Sequence, residues 1–122
     1  MSGSDFLVDT NVLIHLVNGD EAITDFLQGK VIFISFISEM ELLSKPGLDS
    51  ESIKILQSLI DNCVLVEFNH EIKSEAIKLR RKFKLKLPDA IIASSAKYLH
   101  LPLLTADKHF RKISDIELLF IS

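Results

Sequence analysis

The chain has no tryptophan, one tyrosine and one cysteine, and none of its apolar runs is long. Each absence closes a class. A membrane span needs ~20 consecutive apolar residues, and no run here approaches that. The start also lacks the charged-then-apolar pattern of a secretory signal, so a cytoplasmic protein with no membrane partner is expected. With Cys63 alone no internal disulfide can form, and its setting in "CVLVEF" suits a buried thiol better than a nucleophile. The four histidines, His15, His70, His100 and His109, show no ligand spacing, which with a single cysteine argues against a zinc site. Nor is one sign of charge in large excess. Lys and Arg number 14 against 17 Asp and Glu, a net −3. That balance argues against indiscriminate nucleic-acid binding but leaves room for a local basic patch.

What is present is the balance of a soluble globular protein, 48% hydrophobic and 25% charged over 122 residues. That length suits one domain, 1–122, with one core. Residues 1–4, "MSGS", read as a disordered or appended start with no structural role. Five short apolar runs read as strands: 6–8, 31–34, 63–68, 101–104 and 116–121. They are continuous rather than alternating, as in strands covered on both faces of a parallel sheet.

Between these runs lie helical patterns. Residues 10–17 follow Asp9, and "DTN" is a favourable cap sequence. In 50–62, Ile53, Leu56 and Ile60 share a face after Ser50, an N-cap candidate. In 70–84, Ile72, Ala76, Leu79 and Phe83 line one side. Segment 88–99 begins at Pro88, a favoured first-turn residue, and its Ala90, Ala93 and Ala96 permit close approach to neighbours. Strands alternating with helices through short connections predict an α/β three-layer sandwich with about five strands, mainly parallel.

In such sheets ligands collect at the carboxyl ends of the strands. Asp9 directly follows the first strand and Asp107 the fourth. Asp89 lies in a first helical turn, where the helix dipole favours negative charge. In "ISEMELLS", Glu39 and Glu41 would be roughly 200° apart on a helix, so only one can face a common point. Periodicity does not choose, because Ile37 supports one side and Leu43 the other. Each acid also has a plainer role as a cap, a first-turn acid, a turn residue or a solvated helix acid. Two acids ending strands at one sheet edge weigh against coincidence. Converging carboxylates repel one another and need a positive partner. With only oxygen donors available, that partner is a hard divalent cation, Mg²⁺ or Mn²⁺.

The stretches "FLVDTNVLIHL", "ISFISEMELLS" and "LPDAIIASSAKYLHLPLLTADKHF" closely resemble the successive motifs of PIN-domain ribonucleases, in particular the VapC-type toxins of toxin–antitoxin pairs. The resemblance spans residues 6 to about 120 with the motifs in order. It implies a PIN-like fold and four catalytic acids, Asp9, Glu41, Asp89 and Asp107. Ser38–Glu41–Leu42 matches the family's second motif, which selects Glu41 over Glu39. Asp9, Asp89 and Asp107 are the implied metal ligands, with Asn11 and Thr105 in support. It further implies Mg²⁺-dependent endonucleolytic hydrolysis of RNA, a homodimer, and a cognate antitoxin that inserts a basic side chain into the acidic site. The stretch "SKPGLDSES", 44–52, is shorter and more turn-like than in many relatives, and it borders the site's rim.

An acidic pocket repels a polyanion, so RNA needs cations nearby. "KLRRKFKLK", 78–86, offers Lys78, Arg80, Arg81, Lys82, Lys84 and Lys86, and Lys108 and Arg111 flank Asp107. The plain alternative is a solvated helix face with its stems packed down. Aromatic stacking on bases is poorly supplied, since the phenylalanines mostly read as core. Two other functions fit in outline. One is a non-catalytic PIN-like module that binds RNA or protein. The other is a phosphoacceptor receiver domain, which would want paired acids near the first strand and a lysine ending a late one; the late strand instead ends in Thr105–Ala106–Asp107.

Overall fold

The computed structural model describes residues 5–121, so the reading of residues 1–4 lies outside the described residues. In chain order the elements are β1 (Asp5–Val8), α1 (Thr10–Val17), α2 (Glu21–Leu27), β2 (Val31–Ser35), α3 (Phe36–Leu43), α4 (Ser50–Asp61), β3 (Val64–Val66), α5 (His70–Phe83), α6 (Leu87–Leu99), β4 (Leu103–Thr105), a 3₁₀ turn at Lys108–Lys112, and β5 (Leu118–Phe120). The strands form one sheet in the order β3-β2-β1-β4-β5. Every pairing is parallel.

Alternation along the strands builds the three layers. Leu7 and Leu103 face α5 and α6, meeting Ile72, Ala76, Leu79, Ala93 and Ala96. Phe6, Val8 and Leu104 face the other way, towards Val12, Leu13, Ile23, Leu42, Leu56 and Ile60 from α1 to α4. Leu7, Val8, Leu13 and Leu103 are wholly buried, each burial being worth about 1.5–3 kcal/mol. On α6 the alanine stripe is realised, with Ala90, Ala93 and Ala96 at most 1% exposed. Beside them the buried Ser94 and Ser95 hydroxyls donate back to the Ile91 carbonyl at 3.0 and 2.8 Å. Their burial leaves no polar group unpaired.

Several sequence expectations shift. The run 63–68 pairs only over Val64–Val66, because its one neighbour, β2, turns into α3 directly after Ser35, the partner of Val66. Likewise 116–121 shortens to Leu118–Phe120, matching the three residues that β4 presents. Strand β4 starts at Leu103 rather than Leu101, since the Leu101 N–H closes the end of α6 on the Ala96 carbonyl. At α4 the cap is Asp49, whose carboxylate accepts the Ser52 N–H at 2.8 Å, and Ser50 is the first helical residue. Ile53 falls outside the buried face of Leu56 and Ile60, at 42% exposed. Helix α2 is not among the sequence-based elements. Asp20 caps it by accepting the Ile23 N–H at 3.1 Å, and Ile23 and Leu27 bury its inner face.

Cys63 is half-buried, donates to the Leu59 carbonyl, and has its thiol pushed up to about 11 by burial. It is an inert packing residue. Only Phe6 and Phe110 of the phenylalanines are fully buried, while Phe26, Phe68 and Phe120 stay exposed. Lys30 and Arg111 lie over the rings of Phe26 and Phe120, and Phe36 meets Phe68 edge-on.

Candidate active site

The strand order reverses between β1 and β4. The chain winds outward through β2 and β3 on one side, then returns to β4 and β5 on the other. A crevice opens at the carboxyl ends of the two central strands at such a point. Val8 pairs with Leu104, so Asp9 and Thr105 stand level on neighbouring strands. The Asp9 N–H continues the ladder by donating to the Leu104 carbonyl at 3.0 Å. The Thr105 hydroxyl, fully buried, donates to Asp9 Oδ2 at 2.8 Å. It also accepts the Asp107 N–H at 3.0 Å. One hydroxyl therefore fixes the first acid and the backbone that carries the last.

Asp9 occupies the N-cap position of α1, but its side chain makes no capping bond. Its carbonyl serves the helix instead, accepting from Val12 and Leu13. The carboxylate is thus not spent as a cap. At 4% exposed it is nearly dry. Burial pushes its pKa up to about 6 against the hydrogen bonds from Thr105 and the Thr10 backbone, and the charges of Asp89 and Asp107 add to the rise.

Glu41 arrives from α3, which starts on Ser35 without any intervening loop. The Ser35 hydroxyl accepts the Ile37 N–H at 3.2 Å and launches the helix. Glu41 Oε1 accepts from the Thr10 hydroxyl at 2.8 Å. Ser38 Oγ, fully buried, lies 2.8 Å from the same Thr10 oxygen. Since Thr10 gives its only proton to Glu41, the Ser38 hydroxyl donates to Thr10. Sequence reasoning missed Thr10, although it sits between the two residues of the first motif that it had weighed.

Asp89 lies in the first turn of α6. Its pKa is raised by burial and then by Asp107 and Glu41, with Lys86 and His109 pulling the other way. For Asp107 burial also opposes ionisation. The His109 N–H and ring, helped by Lys86, nonetheless hold its carboxyl below the ordinary range. Asp107 Oδ1 accepts the His109 N–H at 2.8 Å and lies 2.7 Å from His109 Nδ1. The plain turn-and-cap reading therefore holds for Asp107 and fails for Asp9. His109 is a neighbour of the site that histidine spacing did not reveal.

Asp9, Thr10, Asn11, Glu41 and Asp89 line a cavity of about 470 Å³ together with apolar residues that include Ile14, Val17, Leu48, Ile55 and Leu56. Asp107 is not in the lining, though its charge acts on both Asp9 and Asp89. Asn11 is exposed and, among the described residues, hydrogen-bonds none of the acids. As they stand, no three Asp, Glu, His or Cys side chains among the described residues are close enough to hold one ion. The donor chemistry still fits a hard cation: oxygens only, with Asp9 and Asp89 both desolvated and mutually repelled.

The basic run lies mostly elsewhere. None of Arg80, Arg81, Lys84, Lys86 or Lys108 lines the cavity, and all are exposed. Arg80, Arg81 and Lys82 fill the last turn of α5, where cations suit the helix dipole. Lys82 also pairs with Asp115 at 3.3 Å. Lys86 alone of the run acts on the acids, from the N-cap of α6.

Among the described residues no helix is long and apolar enough to cross a membrane. A family model for the PIN domain matches residues 6–116. Comparison with curated proteins gives no match. Among solved structures, a toxin–antitoxin complex from Klebsiella pneumoniae superposes with TM-score 0.80 at 29% identity, covering 91% of this chain and 94% of that one. DNA-bound VapBC from Salmonella typhimurium gives 0.87 at 20% identity over 95% and 97%. VapBC2 from Rickettsia felis, bound to a promoter DNA fragment, gives 0.85 at 20% over 97% and 99%. At such identities the last two speak to the fold alone.

Proposed function

The chain belongs to the PIN-domain family, and from that premise we propose that it is a VapC-type toxin, a metal-dependent endoribonuclease acting as one domain. The observation that carries this reading is the buried Asp9, drawn up to about 6 beside Asp89 and Asp107 at the sheet's switch point. A lone structural carboxylate at that depth would be neutralised by a partner; here its neighbours are further acids.

Asp9 and Asp89, with Asp107 next, are the residues that would hold Mg²⁺ or Mn²⁺. Such an ion, when bound, lowers the pKa of water and offsets charge on the phosphate being cleaved. The chain's own residues supply the rest. Thr105 fixes the rotamer of Asp9, and Thr10, backed by Ser38, aims Glu41 into the same cavity. Glu41 is then placed to orient a water or complete the acid set. Asn11 is proposed to support the site from the cavity wall. Lys86 moderates the repulsion that an RNA backbone would meet.

The Klebsiella neighbour is a toxin–antitoxin complex by its description. It supports a cognate antitoxin as partner, and a cytoplasmic homodimer fits the same reading. Asp9→Asn, purified and shown to be folded by circular dichroism, is expected to abolish RNA cleavage in Mg²⁺ or Mn²⁺. Full cleavage by that variant would refute the mechanism. The alternative is a PIN-like module that binds RNA or protein without cutting, and the acids' failure to close on one point favours it. No metal-induced rise in melting temperature, and no cleavage of any RNA pool, would decide for the binder.

A further inference from the structure

Three carboxylates line the cavity, and among the described residues that line it Lys45 is the one cation. We propose that Lys45 binds a non-bridging phosphate oxygen of the RNA backbone next to the scissile linkage, an assignment that rests on the endoribonuclease reading. A polyanion entering an acidic cavity needs compensating charge within reach. The basic run of α5 does not provide it there: its residues are absent from the lining, and Lys82 is committed to Asp115.

Lys45 is differently placed. It follows Ser44, the C-cap of α3, one turn past Glu41. An internal Glu41–Lys45 pair would be the ordinary use of that spacing. Instead Glu41 Oε1 is held by Thr10, and among the described residues Lys45 makes no ion pair. The ammonium is exposed and uncommitted. Pro46 follows, which biases the Lys45 backbone away from the helical region and towards extended conformations. With Lys86 at the N-cap of α6, two lysines flank the acids from separate helices. A cation just past α3 also suits that helix's dipole, but that role acts on stability and leaves RNA affinity untouched.

The test uses the full-length chain carrying Asp9→Asn, so that RNA is bound rather than cut. Binding of a fluorescein-labelled, mixed-sequence, single-stranded oligoribonucleotide is followed by anisotropy across a salt series. Adding Lys45→Gln is expected to weaken binding several-fold and to flatten the slope of log affinity against log salt by about 0.7, the loss of one phosphate contact to a single strand. Lys45→Arg should keep both affinity and slope. In the cleaving chain, Lys45→Gln should raise KM with kcat little changed, the signature of lost uniform binding. Unchanged affinity and slope in Lys45→Gln overturn the proposal. So does an equal loss in Lys45→Arg, because the effect would then not be charge. If the unmutated chain cuts no RNA while Lys45→Gln still flattens the salt slope, the nuclease reading fails and the phosphate contact stands. If it cuts RNA and Lys45→Gln binds normally, the contact fails and the nuclease reading stands. A parent chain that binds no RNA at all overturns both.

Discussion

Two threonine hydroxyls decide how the acids are held. Thr105 serves Asp9, and Thr10 serves Glu41. Neither hydroxyl needs to touch substrate; each fixes the rotamer of a group that would. Removing such an outer partner typically costs about 10–100-fold in metal affinity or activity, so Thr105→Val should lower cleavage by that order, with Thr105→Ser largely restoring it. Metal titration monitored by melting temperature would report the same loss as weaker ion binding, independently of turnover. Thr10→Val has a second consequence. It leaves the wholly buried Ser38 hydroxyl without its acceptor, at a cost of about 1–3 kcal/mol. Urea unfolding of Thr10→Val against Thr10→Ser isolates that penalty, and a wild-type midpoint for the valine variant would contradict the network. Neither pairing is legible in the sequence. The two Thr10 partners lie 28 and 31 residues away, and the acceptor of Thr105 lies 96 away. Local pattern carries no record of contacts at such separation.

At the scale of the element, what periodicity could reach it reached. Strand cores, the inner face of α5 and the alanine stripe of α6 follow from apolar spacing, because burial acts residue by residue along each element. Strand lengths did not follow. The ends of β3 and β5 are set by where β2 and β4 stop offering partners, a fact of pairing rather than composition. Helix α2, seven residues long, carries only two buried positions, too few for an apolar stripe to stand out. Helix ends hold a testable feature. His100 closes α6 and Lys84 closes α5 in the left-handed region, at φ 54° and 56°. A side chain there costs about 1–2 kcal/mol, and glycine is the usual occupant. His100→Gly should therefore stabilise the chain by about 1 kcal/mol, net of the entropy that glycine adds to the unfolded state. Thermal melting checks this, and a lower melting temperature would mean that His100 makes a contact more valuable than the strain it bears. The converse experiment is Ala93→Leu. Ala93 has no exposed surface, and overpacking that seam should cost about 1–3 kcal/mol.

Across the whole molecule, charge is sorted rather than scattered. Acids gather at the switch point, while Glu75, Lys82, Lys97 and Asp115 link α5 and α6 to the segment before β5. The ordered motifs announced that the acids belong together, but not that Asp107 would stay committed to His109. That depends on a 3₁₀ turn whose N-cap is Asp107 itself. The sorting has a thermodynamic signature. Folding raises the Asp9 pKa from 3.8 to about 6, so between those values the folded chain holds a proton that the unfolded chain has released. Stability contributed by Asp9 is then full below pH 4 and is lost as pH rises through 6, by up to about 3 kcal/mol. Asp49, Asp107 and Asp115 are shifted downward. Their contributions are present above pH 4 and vanish only as pH falls below it, so the two windows separate. In metal-free buffer the melting temperature of the wild type relative to Asp9→Asn should fall steadily from pH 4 to 6. A bound divalent cation requires the ionised carboxylate and expels that proton. Mg²⁺ or Mn²⁺ should therefore raise the melting temperature more at pH 7 than at pH 5, with an ion at a hundred times its Kd contributing about 2.7 kcal/mol. Asp9→Asn should lose most of that rise. Equal melting profiles for the two chains across pH 4–6 would mean that Asp9 ionises as freely as an exposed acid, and the desolvated cluster on which the nuclease reading rests would not exist in solution.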